Sequence, residues 1–275
     1  MPIHDQGYRH YLGHRTPHGR AWLVIARMHI LGALRYRWFL LLMIAGWIQF
    51  VGRVIQIYVS STIPQAAATA QTYRDFFNFQ SFFVFLITIA MAGLIADDRR
   101  ANALQLYLSK PLTRVEYIVG KLVPALVFLL GVTLAPAVML LVVHVLLAGS
   151  ITFIRENLFL LPAIILFSVV QGVTAGFAIL ALSSLTKSRR FVSIMYAGTI
   201  FFTAAMSQAL RAITGSRAWA VISPGDMLDV IADATFRVRA QPPVPVSVAV
   251  LVVLVLIGVS IWILERRIRA VEVVV

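Results

Sequence analysis

The sequence consists of long apolar segments separated by short polar ones. Each apolar segment is about 20 residues long or longer, which is the length a helix needs to cross a hydrocarbon core of about 30 Å. Most charged residues lie between these segments, as expected where a chain returns to water. The pattern predicts an all-α polytopic membrane protein whose 38–264 region forms six transmembrane helices: 38–59, 79–96, 122–147, 158–185, 191–210 and 246–264.

The two ends of the chain are polar. Residues 1–19 contain no apolar run, and residues 265–275 form a short basic tail. Residues 20–37 are amphipathic, with Trp22 on one side and arginines on the other. An apolar side that inserts and arginines that reach the headgroups favour a helix lying on the membrane surface. We therefore expect an interfacial helix before the first span.

Composition and charge narrow the class further. Hydrophobic residues make up 60% of the chain and charged residues 13%, which excludes a soluble globular protein, and there is no cysteine for thiol chemistry. All three lysines and most arginines lie in the 1–37, 95–121 and 186–190 segments and the C-terminal tail. Because cytoplasmic loops collect Lys and Arg, this bias predicts that both termini are cytoplasmic. It also explains the net charge of +13, so we expect no nucleic-acid partner.

One charged segment, Ile95–Lys121, separates the second and third apolar segments. Its eight charged residues must stay in water, because desolvating them would cost more than packing returns. Good helix formers over Ala101–Leu108 predict a short helix that ends at Pro111. Thr113 followed by Glu116 is a capping-box pattern that begins the next helix. We interpret this segment as a docking surface.

The sequence carries no recognisable catalytic motif. Gly120-Lys121 lacks the upstream glycine spacing and the following hydroxyl of a nucleotide-binding P-loop. The hydrolase patterns H-E-x-x-H and G-x-S-x-G are also missing. His10, His14 and His18 could share a helical face, but the glycine and proline among them argue against a continuous helix. We expect no metal site, no cofactor bound by this chain and no enzymatic activity of its own.

The first span carries three polar residues at helical spacing, Gln49, Arg53 and Gln56. An arginine within the apolar slab is costly and usually faces a cavity, a partner helix or the outer headgroups. Two interpretations remain open: Arg53 reaches the headgroups, or the three residues line a pathway or a subunit interface.

Three aspartates, Asp226, Asp229 and Asp233, lie on one side of a short helix predicted to begin at Ser223-Pro224. Their spacing differs from that of a calcium-binding loop. We expect a solvated helix face rather than a cation site.

The Ile95–Lys121 segment resembles the stretch between spans two and three of ABC-2 type permeases, where an acidic-basic cluster precedes leucines, a Ser-x-Pro-Leu-Thr-Arg run and Gly-Lys. Residues 34–39 are similar to the end of that family's N-terminal connecting helix, and Ser-Pro-Gly-Asp at 223–226 to its element between spans five and six. Many members carry an acidic residue and Gly-Thr before the leucines, where this chain has Arg-Ala-Asn at 100–102. In layout the chain is most similar to compact permeases that include the membrane subunit of the nitrous-oxide-reductase copper-maturation transporter.

The resemblance implies a permease that dimerises, as a homodimer, in a bacterial inner membrane and pairs with two copies of a separate ABC ATPase subunit. That subunit would bind ATP and Mg²⁺. Residues 97–114 would contain the coupling helix, and Gln49, Arg53 and Gln56 would lie at the pathway or dimer interface. The docking residues would be Asp97, Asp98, Arg99, Arg100, Leu104, Leu108, Pro111, Thr113, Arg114 and Glu116.

A second function fits the same features. The chain could be a non-transporting membrane anchor through which an ATPase acts mechanically on a periplasmic partner. A continuous polar cavity between protomers would favour transport, and a tightly packed apolar interface would favour the anchor.

Overall fold

The computed structural model describes residues 19–62, 70–103, 113–148, 158–238 and 241–268. Within these ranges the chain is helical and contains no β-strand, which confirms the all-α class. A short 3-10 helix covers Arg217–Ile222. The α-helices are α1 (Ala21–Leu34), α2 (Arg37–Ala45), α3 (Ile48–Thr62), α4 (Ala70–Ala90), α5 (Gly93–Arg100), α6 (Arg114–Val132), α7 (Leu134–Ala148), α8 (Leu160–Leu185), α9 (Arg189–Thr214), α10 (Pro224–Thr235) and α11 (Val246–Arg267).

Six helical segments of the described chain are long and apolar enough to cross a membrane, as the hydropathy pattern predicted. The first three each consist of two consecutive helices, α2–α3, α4–α5 and α6–α7. We call the end of the bundle where α5 ends and α6 begins the loop end, and the end that carries α10 the far end. The six segments are Arg37–Val59, Ala70–Arg100, Arg114–Leu147, Leu160–Leu185, Arg189–Thr214 and Val246–Arg267.

The second span begins at Ala70, earlier than the predicted residue 79. Polar residues in this stretch suggested a loop, but Tyr73, Phe76 and Phe77 are fully buried in the main core cluster. The free energy gained by burying three large aromatic side chains exceeds the entropic cost of ordering this polar stretch as a helix. Arg74 is also buried here, and its charge is paired as described below.

Gln80 holds two of the three helix breaks together. Pro136 has no amide hydrogen, so the carbonyl of Val132 has no donor one turn later, and the helix divides at Thr133. The buried Gln80 Nε2 donates to that carbonyl at 2.5 Å and to the carbonyl of Gly46, between α2 and α3, at 3.0 Å. Glycine suits this close approach, because a Cβ at residue 46 would lie 3.1 Å from Val132 Cγ1, a tight contact that would require Val132 to shift.

Ser183 of α8 holds the third break, between α4 and α5. Its Oγ accepts from the amides of Ile95 and Ala96 at 3.1 and 2.9 Å and donates to the carbonyl of Ala92 at 2.7 Å. Arg189 at the start of α9 donates to the carbonyl of Ala90 at 2.5 Å. Side chains from the fourth and fifth spans therefore hold α5 in place, since they satisfy the backbone groups that the break exposes.

The fourth span, α8, lies at the centre of the bundle. It packs against helices of the second, third, fifth and sixth spans and is the most buried of the six, with 61% of its most apolar window inside the protein. The corresponding share is 6% for the first span and 17% for the fifth and the sixth. Those three spans therefore present their surfaces to lipid or to another subunit.

The prediction of a solvated aspartate face on α10 is wrong. Arg74 donates from Nε to Asp233 at 2.5 Å and from Nη2 to Asp229 at 2.9 Å. Arg211 at the end of α9 pairs with Asp226, which also accepts from the Ser207 hydroxyl. The aspartates tie α10 to the second and fifth spans, because each finds an arginine that is distant in sequence. Partial burial raises the pKa of Asp229, although Arg74 opposes the shift.

Candidate functional site

The loop end carries the residues that the sequence marked for docking. Asp97, Asp98, Arg99 and Arg100 form the last turn of α5. The two arginines lie next to unpaired terminal carbonyls, where positive charge stabilises a helix. Among the other predicted docking residues, Leu104, Leu108 and Pro111 lie outside the described residues, so the helix predicted over 101–108 stays a prediction.

The capping box that begins α6 is present. The backbone amide of Glu116 donates to Thr113 Oγ1 at 3.2 Å, and that of Thr113 donates to Glu116 Oε2 at 2.9 Å. Arg114 and Val115 on the same turn are exposed. This reciprocal cap satisfies two terminal amides and sets the direction in which the third span leaves the loop.

A buried polar network lies directly behind this surface. Lys121 Nζ is 2.5 Å from Asp98 Oδ2, and the two side chains are 0% and 13% exposed. Tyr117 donates its hydroxyl to the same carboxylate at 2.8 Å. On the other side, Lys121 Nζ lies 2.6 Å from His29 Nε2. The network joins α1, α5 and α6, and every member is paired as a buried polar group must be.

The histidine of this network is neutral at physiological pH. Burial, with repulsion from Lys121 as a second cause, lowers the pKa of His29 to about 4, although Asp98 opposes the shift. The Nε2 atom of a neutral imidazole can accept a hydrogen bond from the lysine ammonium group, whereas an imidazolium could not.

Gly120 brings α1 against the third span. A Cβ at this position would lie 3.0 Å from both the Trp22 carbonyl oxygen and Ile25 Cβ, so a larger residue would push the helices apart. The adjacent Lys121 then reaches Asp98 on one side and His29 on the other. The Gly-Lys pair does not belong to a P-loop. Its glycine lets α1 pack against the third span, and its lysine pairs the buried charges.

Sequence reasoning did not foresee this network. It treated Asp98 and Lys121 as solvated charges of one segment and left His29 without a role. The available signal was a histidine and a lysine within otherwise apolar helical surroundings, which require partners when buried. The identity of those partners depends on how α1, α5 and α6 pack.

The structure places the polar face of the first span away from the loop end. Arg53 Nη1 donates to Gln56 Oε1 at 2.6 Å, and both residues lie on α3 with Gln49. Arg53 Nε is buried and has no hydrogen-bond partner among the described residues. Helix α3 packs on α4 and α7 at the edge of the bundle. The pathway or interface role of these three residues stays a prediction.

Cavities open between the described helices. One, of about 430 Å³, lies between α4, α8, α9, α10 and α11. The other, of about 530 Å³, lies under α1 and α2 at the loop end and reaches His29, Asp97 and Arg189. Within the described ranges, no three His, Asp or Glu side chains come together in a way that could hold a metal ion.

Comparison with known proteins agrees with this architecture. Residues 23–267 match the family model described as ABC-2 family transporter protein, and the chain therefore belongs to that family. No curated protein matches the chain. The protein is thus a multi-pass membrane subunit of an ABC transporter, and its family membership implies association with an ABC ATPase subunit.

Proposed function

We propose that this chain is the permease subunit of an ABC-2 type exporter in a bacterial inner membrane. Two copies of the chain would form a homodimer, and two separate ATPase subunits would dock on the 97–121 segment and supply ATP and Mg²⁺. The observation that carries the proposal is the buried Asp98–Lys121 pair. It holds the docking segment in a network that joins the three helices α1, α5 and α6. The chain itself would have no enzymatic activity.

The surface at the loop end suits a protein partner. Arg100 at the end of α5 and Arg114 at the start of α6 are exposed, and Val115 next to Arg114 is 68% exposed. An exposed apolar side chain next to charged residues suits a docking site, since the apolar group supplies affinity and the charges supply orientation. The positive-inside bias favours placing this end, and both termini, in the cytoplasm.

Two sets of contacts can transmit a movement of the docking segment to the transmembrane helices. Ser183 ties α5 to the central helix α8, and Lys121 ties it through α6 to α1. ATP binding that closes the ATPase dimer would move both segments together and shift the bundle between two packed arrangements. Buried, fully paired contacts transmit such a movement because they resist local relaxation.

The cavity between the second, fourth, fifth and sixth spans lies inside the protomer and is mostly apolar, so it differs from the polar cavity between protomers expected for transport, but its size supports export. An anchor that only transmits force needs no internal space, whereas an exporter needs a binding site for its cargo. The volume of about 430 Å³ falls in the range of ligand pockets, about 300–1,000 Å³. The mechanotransmitting anchor acting on a periplasmic partner is the second candidate.

Co-purification tests the docking assignment. Arg114→Glu should abolish recovery of the ATPase with the tagged chain while leaving membrane insertion intact, because a glutamate in the first turn of a helix is itself stabilising. Arg217→Glu is the matched control, since Arg217 is an exposed arginine in the first turn of the far-end 3-10 helix. Deletion of residues 104–108 should act like Arg114→Glu. Equal recovery of the ATPase with all variants would contradict the proposal.

A further inference from the structure

The cavity between α4, α8, α9, α10 and α11 extends through much of the membrane. Along α8 its wall runs from Phe167 to Leu182, and this helical stretch rises about 22 Å through a core of about 30 Å. Thr199 of α9 and Val259 of α11 line the cavity and are exposed in the protomer, so the cavity opens sideways between the fifth and sixth spans. A molecule that partitions into the bilayer could therefore reach it.

Most of the wall is apolar, but polar groups lie on the side of the second and fourth spans. Gln171 donates from Nε2 to the Ser81 hydroxyl at 2.9 Å, and both side chains line the cavity. Its Oε1 is buried without a hydrogen-bond partner among the described residues, and Gln171 as a whole is 3% exposed. This oxygen is enclosed by protein, so the polar patch that the wall presents on this side is the Gln171–Ser81 pair.

Among the described residues, Asp229 is the only charged one that lines this cavity. Its side chain is 52% exposed, whereas that of its partner Arg74 is 9% exposed and also serves Asp233. One guanidinium thus faces two carboxylates, which leaves one negative charge uncompensated within the group. No lysine or arginine of the described part of the chain lines the cavity to balance it.

We propose that this cavity binds an amphipathic molecule with a cationic nitrogen head. The head would pair with Asp229, and the apolar body would lie along α8. Anionic amphipaths would be excluded, because they would meet an uncompensated carboxylate with no basic group among the described residues of the wall. The inference names the substrate class of the proposed exporter and rests on that function, although binding itself requires no ATPase.

Ethidium provides a direct probe, because it is a flat apolar cation with amine donors and its fluorescence increases in apolar surroundings. The full chain in phosphatidylcholine nanodiscs is titrated and fluorescence anisotropy is recorded, with fluorescein as the anionic control. We expect saturable ethidium binding and no saturable fluorescein binding. Equal binding of the two dyes would overturn the charge selectivity.

The variants locate the site. Asp229→Asn should weaken ethidium binding about tenfold, because it removes the carboxylate that faces the cavity. Asp75→Asn is the matched control: it removes a carboxylate of α4 that is bonded to Gln71 and does not line the cavity, so we expect at most about a threefold change. Unchanged affinity in Asp229→Asn, with intact thermal unfolding, would refute the proposal.

Three further results separate the possibilities. Weaker apparent ethidium affinity in nanodiscs containing phosphatidylethanolamine would support the same chemistry and identify a lipid amine as an occupant. An ATPase that co-purifies with a chain unable to bind ethidium would overturn this inference alone. Ethidium binding by a chain that recovers no ATPase would overturn the proposed function and leave the cavity assignment standing.

Discussion

Lys121→Met should strongly destabilise the protein. The lysine side chain is 0% exposed and lies 2.5 Å from a carboxylate that is only 13% exposed. Methionine fills similar volume but leaves Asp98 charged in the interior, with Tyr117 as its remaining hydrogen-bond donor. Removing one member of a buried ion pair costs about 3–5 kcal/mol. Asp98→Asn should cost a similar amount, because it leaves the ammonium group unpaired.

The two substitutions should not be additive. In the Lys121→Met/Asp98→Asn double variant neither charge remains, and a buried ion pair replaced as a unit is often nearly neutral. We expect the double variant to lie within about 2 kcal/mol of the wild type, which gives a coupling energy of at least about 4 kcal/mol.

Equilibrium unfolding in mixed micelles of sodium dodecyl sulfate and dodecyl maltoside, followed by tryptophan fluorescence, measures these free energies. Lys187→Met is the control, because this lysine lies on the exposed turn between α8 and α9 and should change stability by less than about 0.5 kcal/mol. If Lys121→Met lowers the free energy of unfolding by less than about 1 kcal/mol, the buried pair is refuted. It is also refuted if the loss in the double variant equals the sum of the two single losses.

Two other predictions follow from buried polar groups. His29 stays neutral when folded and has an ordinary pKa of 6.5 when unfolded, so stability is retained above about pH 6.5 and falls on acidification toward about pH 4, by up to about 3 kcal/mol. His29→Gln should remove that part of the pH dependence, and an unchanged profile would contradict the assignment. Gln80→Leu leaves the carbonyls of Gly46 and Val132 without their donor and should cost about 2–4 kcal/mol in the same unfolding assay, whereas Gln208→Leu on the exposed face of α9 should be nearly neutral.

The sequence was sufficient for features that depend on local or periodic patterns. Long apolar runs predicted six spans because a helix in lipid satisfies its own backbone. The Thr113–Glu116 capping box could also be predicted, since both hydrogen bonds connect residues three apart.

Features that depend on distant partners were missed. Arg74 favoured a loop over residues 70–78, and the aspartates of α10 were expected to be solvated. Both interpretations missed the pairing of Arg74 with these aspartates, which joins helices about 155 residues apart in the sequence. His29 could not be assigned its partner from the sequence, since the lysine it contacts is 92 positions away. The helix break at Gly46 likewise depends on Gln80, whose amide reaches it across the bundle.

Site-specific photo-crosslinking at Val115 tests the central claim most directly. Val115 is 68% exposed at the proposed docking surface, and Ile213, which is 80% exposed at the far end, is the matched control position. A benzophenone side chain at residue 115 should crosslink to a P-loop ATPase in native membranes, and the same group at residue 213 should not. Equal crosslinking at both positions, or none at residue 115 in a correctly inserted chain, would contradict the account.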